Sequence, residues 1–386
     1  MRPCHILTRT ARIALVGLLA FSGLRNVRAD FSIQNIQANP DGSITLTWPV
    51  TPTFTYHVKY ADALDGSWQE FPDGQLTATT NDFTLCYTDT SAPAASQRFY
   101  KVSRDPVRFI MTLVLDVSGS MDPARGPGSL GGDGTGSGGG IFLPTAVQTF
   151  IANFSDTLDQ AALVTFSTIQ QNVVFTGTFP FTAQPTQPFR AAISNAVNTL
   201  TYSGATFSQG GLTNALVMEN NATAPSGLAV VKVVIFFTDG MANTMQDTLN
   251  CPPATLLNFG GYDLPHGGYL VFDPVTGNNV ACGATQFKSA IDGAMKTLNR
   301  ANITADAQYR AIQVANDLRA NKTIVFSVGV GSNINLSFLQ QIANDPAAPG
   351  YVATPYDGVA IVANDPSQLA YVFQAIASRI LSQLGR

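Results

Sequence analysis

Five oxygen-bearing side chains in three short segments of this 386-residue chain make up the donor set of a hard divalent cation. Asp116, Ser118 and Ser120 alternate through Asp-Val-Ser-Gly-Ser, so one tight turn can aim all three the same way, with Gly119 relaxing the backbone. Thr206 ends Tyr-Ser-Gly-Ala-Thr, and Asp239 sits in Thr-Asp-Gly. Mg²⁺ takes about six oxygens at about 2.0–2.1 Å, gives up water reluctantly and is usually held by one or two carboxylates. Two acids with three neutral hydroxyls leave positive charge on the ion and an open position, which a carboxylate from another protein can fill. Singly these are ordinary turn residues. Their combination predicts a metal site for Mg²⁺, or for Mn²⁺ or Ca²⁺.

The elements that must hold these residues are legible around them. Unbroken apolar runs at 109–115, 161–166, 230–237 and 323–330 suit parallel strands covered on both faces. Helical stripes lie between and after them: Val147, Phe150, Ile151, Phe154 and Leu158; Phe189, Ile193, Ala196, Val197 and Leu200; Phe287, Ile291, Met295 and Leu298. A last stripe, Leu369, Val372, Phe373, Ile376 and Ile380, follows Asp365 as N-cap and Pro366 at the first helical position. Strand and helix in alternation predict an α/β domain with a doubly wound, mainly parallel sheet. Such sheets bind ligands at the carboxyl ends of their strands. The first run ends in Asp116 and the third in Thr238-Asp239, so both acids belong to one rim.

Residues 30–104 have a different grammar. Ile44, Leu46 and Trp48 alternate with threonines, Tyr56, Val58 and Tyr60 with His57 and Lys59, and Phe83, Leu85 and Tyr87 repeat the pattern. With Asp-Gly turns at 41 and 65 this predicts a small all-β sandwich, with His57 as a solvated outward residue. Residues 1–29 read as a secretory signal, with Arg2, Arg9 and Arg12 ahead of an apolar run at 13–24. Its removal takes five of the 21 Lys and Arg and none of the 25 Asp and Glu, leaving a net charge of -9. Nucleic acid is thereby disfavoured as a partner, and peripheral or no membrane association is expected. An exported chain can oxidise its cysteines, and Cys251 and Cys282 share one segment, so they are expected to pair and Cys86 to stay free.

The rim residues resemble a von Willebrand factor A domain with a metal-ion-dependent adhesion site. The family pattern D-x-S-x-S, then a loop threonine, then an aspartate in T-D-G, matches Asp116, Ser118, Ser120, Thr206 and Asp239 in order. The resemblance implies that Ser118, Ser120 and Thr206 touch the metal through hydroxyls and that Asp116 and Asp239 act directly or through water. It covers the domain expected at 105–386. The preceding 30–104 is similar to a fibronectin type III module, on Trp48, the Tyr56-x-Val58-x-Tyr60 strand and Arg98-Phe-Tyr-Lys-Val102. The run 109–121, the cysteine-bearing insertion and the ending Leu369-Ala-Tyr-Val-Phe-Gln-Ala-Ile-Ala also look like proteins of tight-adherence pilus assembly.

The function expected is metal-dependent, non-enzymatic adhesion or protein binding by an exported chain, periplasmic, cell-surface or extracellular. The alternative is a structural component of a pilus or envelope machine. A metal-dependent phosphohydrolase of the haloacid dehalogenase type fits less well, since Ser118 stands where a second acid is needed. A P-loop is excluded because Gly-Lys occurs nowhere, and with no G-x-S-x-G elbow and two histidines beyond the signal a Ser-His-Asp triad has little material. Insertions are expected at 125–140, rich in Gly with some Ser, and at 241–284; each leaves a strand ending in a metal acid. The second carries Tyr262, Leu264, Tyr269 and Phe272, aromatic and apolar residues suited to a partner-binding rim.

Overall fold

The apolar run ahead of Asp116 is buried throughout in β7 (Val107–Asp116), a strand of a six-stranded sheet in the computed structural model. The structure describes residues 33–50, 54–63, 66–79, 82, 84–92, 97–105, 107–125, 138–168, 170–174, 189–222, 229–247, 249, 256–258, 270–272, 279–280, 282–331 and 334–383. The chain divides into two compact units, with the main boundary between Val107 and Arg108.

The first unit holds six strands: β1 (Asn35–Ala38), β2 (Ile44–Pro49), β3 (Thr55–Ala61), β4 (Gln69–Thr77), β5 (Thr84–Asp89) and β6 (Phe99–Arg104). They form two antiparallel three-stranded sheets, ordered β1-β2-β5 and β4-β3-β6. Alternation turns Leu46 and Trp48 of one sheet and Tyr56 and Val58 of the other into a buried core. The Trp48 and Tyr56 rings lie 6.4 Å apart between the sheets. This is the all-β sandwich expected. His57 departs from its expected solvated role, because Glu70 and Asp105 each lie 2.7 Å from one of its ring nitrogens. Burial lowers its pKa, but the hydrogen bonds to the two carboxylates outweigh that and raise it.

The second unit is the expected doubly wound α/β domain. Its strands β7 (Val107–Asp116), β8 (Gln160–Phe166), β9 (Gln170–Val174), β10 (Ala229–Thr238), β17 (Thr323–Val330) and β18 (Ala360–Ala363) are ordered β18-β17-β10-β7-β8-β9. β7 and β8, β10 and β17, and β17 and β18 pair in parallel, while β9 is an antiparallel edge. Helices α1 (Leu143–Ile151), α2 (Phe189–Val197), α3 (Ser208–Asn221), α4 (Arg300–Ala320), α5 (Leu336–Ala343) and α6 (Leu369–Gln383) complete the unit. The chain leaves β7 towards β8 on one side, whereas β10 lies on the other. This switch point puts the ends of β7 and β10 next to each other.

Two details of the helices correct the sequence reading. The first stripe stops early: α1 ends at Ile151, and Phe154 is buried from the turn that follows. More consequentially, Phe287, Ile291, Met295 and Leu298 do not share a helix. They belong to or flank the hairpin β15 (Gln286–Lys288) and β16 (Met295–Thr297), in which Phe287 and Leu298 are buried while Ile291 and Met295 are 48% and 59% exposed. Local polar chemistry prevents the helix: Gly293 has φ +72°, Asp292 accepts from the Ala294 N–H, and Ser289 accepts from the Ile291 N–H. The helix begins later, where Asn299 caps α4 by accepting from the Asn302 N–H.

Within 241–284 the structure places β11 (Thr244–Gln246), β12 (Leu256–Asn258), β13 (Leu270–Phe272) and β14 (Asn279–Val280) in one antiparallel sheet, which makes a small lobe. Cys86 and Cys282 are both held in disulfide linkage, so Cys86 is not the free thiol expected. Cys251 lies outside the described residues.

One buried acid shapes stability. The Glu219 carboxyl, at the end of α3, is fully buried, and its Oε1 accepts from the Thr112 hydroxyl at 2.7 Å. Burial pushes its pKa up to about 8, against the pull of Thr112 and of the Lys232 charge. The folded chain therefore keeps a proton that the unfolded chain releases in the ordinary carboxylate range. Stability should fall as pH rises from that range to about 8 and level off beyond. Glu219→Gln should flatten this slope, which amounts to a few kcal/mol at most. Urea melts of both proteins at pH 5 and pH 8 check it, and parallel slopes would assign the effect elsewhere.

Candidate metal-binding site

Asp116 ends β7, and its carboxylate is fixed from two sides. Oδ1 accepts from the Ser118 N–H at 2.8 Å, which closes the turn, and Oδ2 accepts from the Thr238 hydroxyl at 2.6 Å, which ties the end of β10 to the end of β7. From there a chain of hydroxyls crosses to the second acid: Ser118 Oγ and Ser120 Oγ are 3.0 Å apart, and Ser120 Oγ donates to Asp239 Oδ1 at 2.7 Å. Because Ser120 gives its proton to Asp239, Ser118 is the donor to Ser120. Asp116, Ser118, Ser120 and Asp239 thus form one continuous polar constellation.

Thr206 belongs to the neighbouring loop, which main-chain hydrogen bonds fasten to the Asp116 turn. Gly119 N–H donates to the Gly204 carbonyl at 3.0 Å, and Ser203 N–H to the Val117 carbonyl at 2.9 Å. Gly204 has φ +80°, a conformation that favours glycine, and a Cβ there would meet Thr168 Oγ1 at 2.4 Å. Thr206 itself is bound by main-chain atoms to Asn243. On the other flank, Gly138 N–H donates to the Ser120 carbonyl at 3.2 Å, and the Tyr202 hydroxyl to the Gly140 carbonyl at 2.9 Å. Burial pushes the Tyr202 phenol up to about 12, so it stays a donor. The end of the glycine-rich insertion is therefore anchored on this rim, while 126–137 lies outside the described residues.

Asp116, Ser118, Thr206 and Asp239 are all buried. Burial raises the pKa of Asp116, and the hydrogen bonds from Ser118 and Thr238 and the Asp239 N–H only partly offset it. Among the described residues no lysine or arginine pairs with Asp116. A buried carboxylate without a counter-charge is costly. The donors around it are all oxygen, two of them carboxylates, and suit a hard cation such as Mg²⁺ or Mn²⁺. The hydroxyls suit the same role, because a hydroxyl that donates onward to a carboxylate presents its lone pairs to a cation. Among the described residues no group of three or more His, Cys, Asp or Glu converges on one point, so any cation here relies on hydroxyls.

Sequence reasoning missed three contributors. Thr238 is visible in Thr-Asp-Gly, but its bond to Asp116 depends on β7 and β10 being neighbours. Tyr202 and Asn243 carry no local signal, since each acts on a loop far away in sequence. Of the expected partner rim, Tyr262, Leu264 and Tyr269 lie outside the described residues, and Phe272 is placed only as the last residue of β13.

No family model matches the sequence, and no curated protein does. Among solved structures the chain is similar to a von Willebrand factor type A protein from Catenulispora acidiphila, at 19% identity and a TM-score of 0.41, over 72% of this chain and 44% of that one. It is also similar to the PilB minor pilin from Streptococcus sanguinis, at 15% identity and a TM-score of 0.45, over 92% of this chain and 78% of that one. A third is the pilus adhesin SpaC from Lactobacillus rhamnosus GG, at 16% identity and a TM-score of 0.47, over 92% of this chain and 43% of that one.

Proposed function

We propose that this is an exported, non-enzymatic protein-binding protein of the adhesive kind, and that its α/β unit holds one divalent cation through Asp116, Ser118, Ser120, Thr206 and Asp239. The observation that carries this reading is the hydroxyl chain from Ser118 through Ser120 to Asp239, beside a buried Asp116 that no lysine or arginine neutralises among the described residues. The cation would supply a Lewis-acidic position for a carboxylate oxygen of another protein. The chain's own part is to hold five donors in place, limit their charge to two carboxylates, which one divalent ion balances without excess negative charge, and exclude bulk water from the acids. The fibronectin type III-like reading of 30–104 makes that module a spacer ahead of the binding unit. Export rests on the signal at 1–29, outside the described residues; no helix among the described residues is long and apolar enough to cross a membrane.

Ligand linkage tests the reading. With Mg²⁺ at about a hundred times its dissociation constant, binding to the folded state alone adds about 2.7 kcal/mol, or roughly 5 °C or more in melting temperature, over EDTA. Identical melts in Mg²⁺, Mn²⁺, Ca²⁺ and EDTA would remove the metal from the account.

A second reading is a structural component of a pilus or envelope assembly, in which the rim is held by hydrogen bonds alone. What favours it is that no cluster of three or more His, Cys, Asp or Glu forms among the described residues. The same melts separate the two, because a metal-free scaffold gains nothing from Mg²⁺.

We place partner selectivity on the lobe of 241–284, through Tyr262, Leu264, Tyr269 and Phe272, with Cys251 and Cys282 paired to brace it. An excision that tests this must spare 241–249, where Ala242, Met245 and Leu249 are core residues and Asn243 holds Thr206, and must put an apolar residue in the place of the buried Val271. Removing only the lobe beyond should leave cation binding intact and abolish selectivity. Unchanged partner affinity would reduce the lobe to packing.

A further inference from the structure

We propose that Asn243 is the positioning residue of the rim: without being a ligand, it sets the Thr206 hydroxyl in advance and couples the Thr206 loop to the first strand of the lobe. The inference rests on the metal reading above and adds a residue that the metal-site motif does not contain.

The geometry is reciprocal. Asn243 Oδ1 accepts from the Thr206 N–H at 2.8 Å, and the Asn243 N–H donates to the Thr206 carbonyl at 3.2 Å. Thr206 is thereby held at both main-chain polar groups by one residue 37 positions away. The same Oδ1 also accepts from the Thr244 hydroxyl at 3.1 Å, and Thr244 is the first residue of β11. Asn243 is itself fixed, since its neighbours Ala242 and Thr244 are fully buried and Met245 packs in the core. Farther along, the Gln246 N–H lies 3.4 Å from Gln209 Oε1 on α3, the helix that starts two residues after Thr206. Thr206 and β11 therefore behave as one piece across the third side of the site.

The consequence is physical. A loop hydroxyl that must be ordered when the ion arrives costs conformational entropy, and one already held costs little. Removing the Asn243 amide deletes the acceptor for a buried N–H and loosens Thr206 locally, while the main-chain bonds of the rest of the loop and the contacts of the continuous constellation remain. Supporting groups of this kind change metal affinity by about ten- to a hundredfold when lost. Coupling also runs the other way, so a partner pressing on the lobe would alter cation affinity and the cation would alter lobe affinity by the same factor.

The experiment is calorimetric titration of the full chain with Mg²⁺ and Mn²⁺, with melting temperatures in EDTA, for wild type, Asn243→Ala and Asn243→Asp. We expect Asn243→Ala to weaken cation binding about tenfold or more while its EDTA melting temperature falls only by the few degrees that one unpaired buried N–H costs, a fall that Asn243→Asp reverses. Asn243→Asp keeps the Oδ1 acceptor and should restore wild-type or tighter binding. Asn243→Ala binding within twofold of wild type would overturn the inference and leave the metal site standing. So would an affinity loss matched by a general loss of melting temperature that Asn243→Asp does not recover. A wild type that binds no divalent cation would fell the metal reading and this inference together. Hydrogen exchange on the wild type gives a reading free of variants: the Thr206 amide should be protected in EDTA. Open-loop exchange in EDTA that slows only with Mg²⁺ would also overturn the inference.

Discussion

Asp116→Ala should abolish divalent-cation binding, weakening it by more than about a hundredfold, and should leave the stability of the fold in EDTA close to that of wild type. The two halves of this result come from one fact. The carboxylate is buried and its charge disfavoured by that burial, so it is costly in the metal-free protein and valuable in the loaded one. Alanine removes the cost along with the ligand. Against it stands the loss of two hydrogen bonds: the Thr238 hydroxyl keeps the Gly240 carbonyl as an acceptor at 3.2 Å, while the buried Ser118 N–H is left unpaired at a cost of about 1–3 kcal/mol. Melts in EDTA and in Mg²⁺ read both halves at once: the wild type should shift with Mg²⁺ and the variant should not. A variant that still shifts would mean that the ion binds elsewhere.

Asp306→Ala should destabilise the α/β unit by about 2–3 kcal/mol, the cost of leaving the Ala290 N–H and the Ser289 hydroxyl without their acceptor, since Arg310 keeps Asp247. Asp306 is fully buried on α4 and accepts from the Ala290 N–H at 2.7 Å, Ser289 Oγ at 3.1 Å and Arg310 Nε at 3.0 Å. Arg310 in turn donates to the Gln246 carbonyl and pairs with Asp247 at 3.3 Å. One acid thus holds the hairpin β15–β16 and, through Arg310, the base of the lobe. Urea melts should show the loss, and Asp306→Asn, which keeps an acceptor, should recover part of it. A change within about 0.5 kcal/mol would show that the hairpin is held by the apolar contacts of Phe287 and Leu298 alone.

Legibility followed the range of the forces. The unbroken apolar runs before Asp116 and Asp239 announced buried strands, because coverage on both faces leaves no polar position to interrupt them. The neighbouring acids then followed from a general property of such sheets. The stripe Phe287, Ile291, Met295 and Leu298 misled because apolar spacing says nothing of competing local bonds. Ser289, Asp292 and Gly293 turn the chain before a helix can form. The helix that does form, α4, buries Ile303, Ala307, Ala311, Ala315 and Leu318, a stripe mostly of alanine that is faint in any hydrophobic pattern. His57 was misread for a related reason: alternation placed it outside, but Glu70 and Asp105 come from another strand and from the end of the module. Asn243 could not be read at all, since its work is done on a backbone 37 residues away.

The most direct test of the account is a crystal structure of the full chain soaked in Mn²⁺, read at the manganese absorption edge. The account predicts one anomalous peak at the rim, with Ser118 and Ser120 hydroxyls at about 2.0–2.3 Å and Asp116, Thr206 and Asp239 bound directly or through one water. A peak elsewhere, or a rim ion that neither Thr206 nor Asp239 reaches even through its waters, would contradict it.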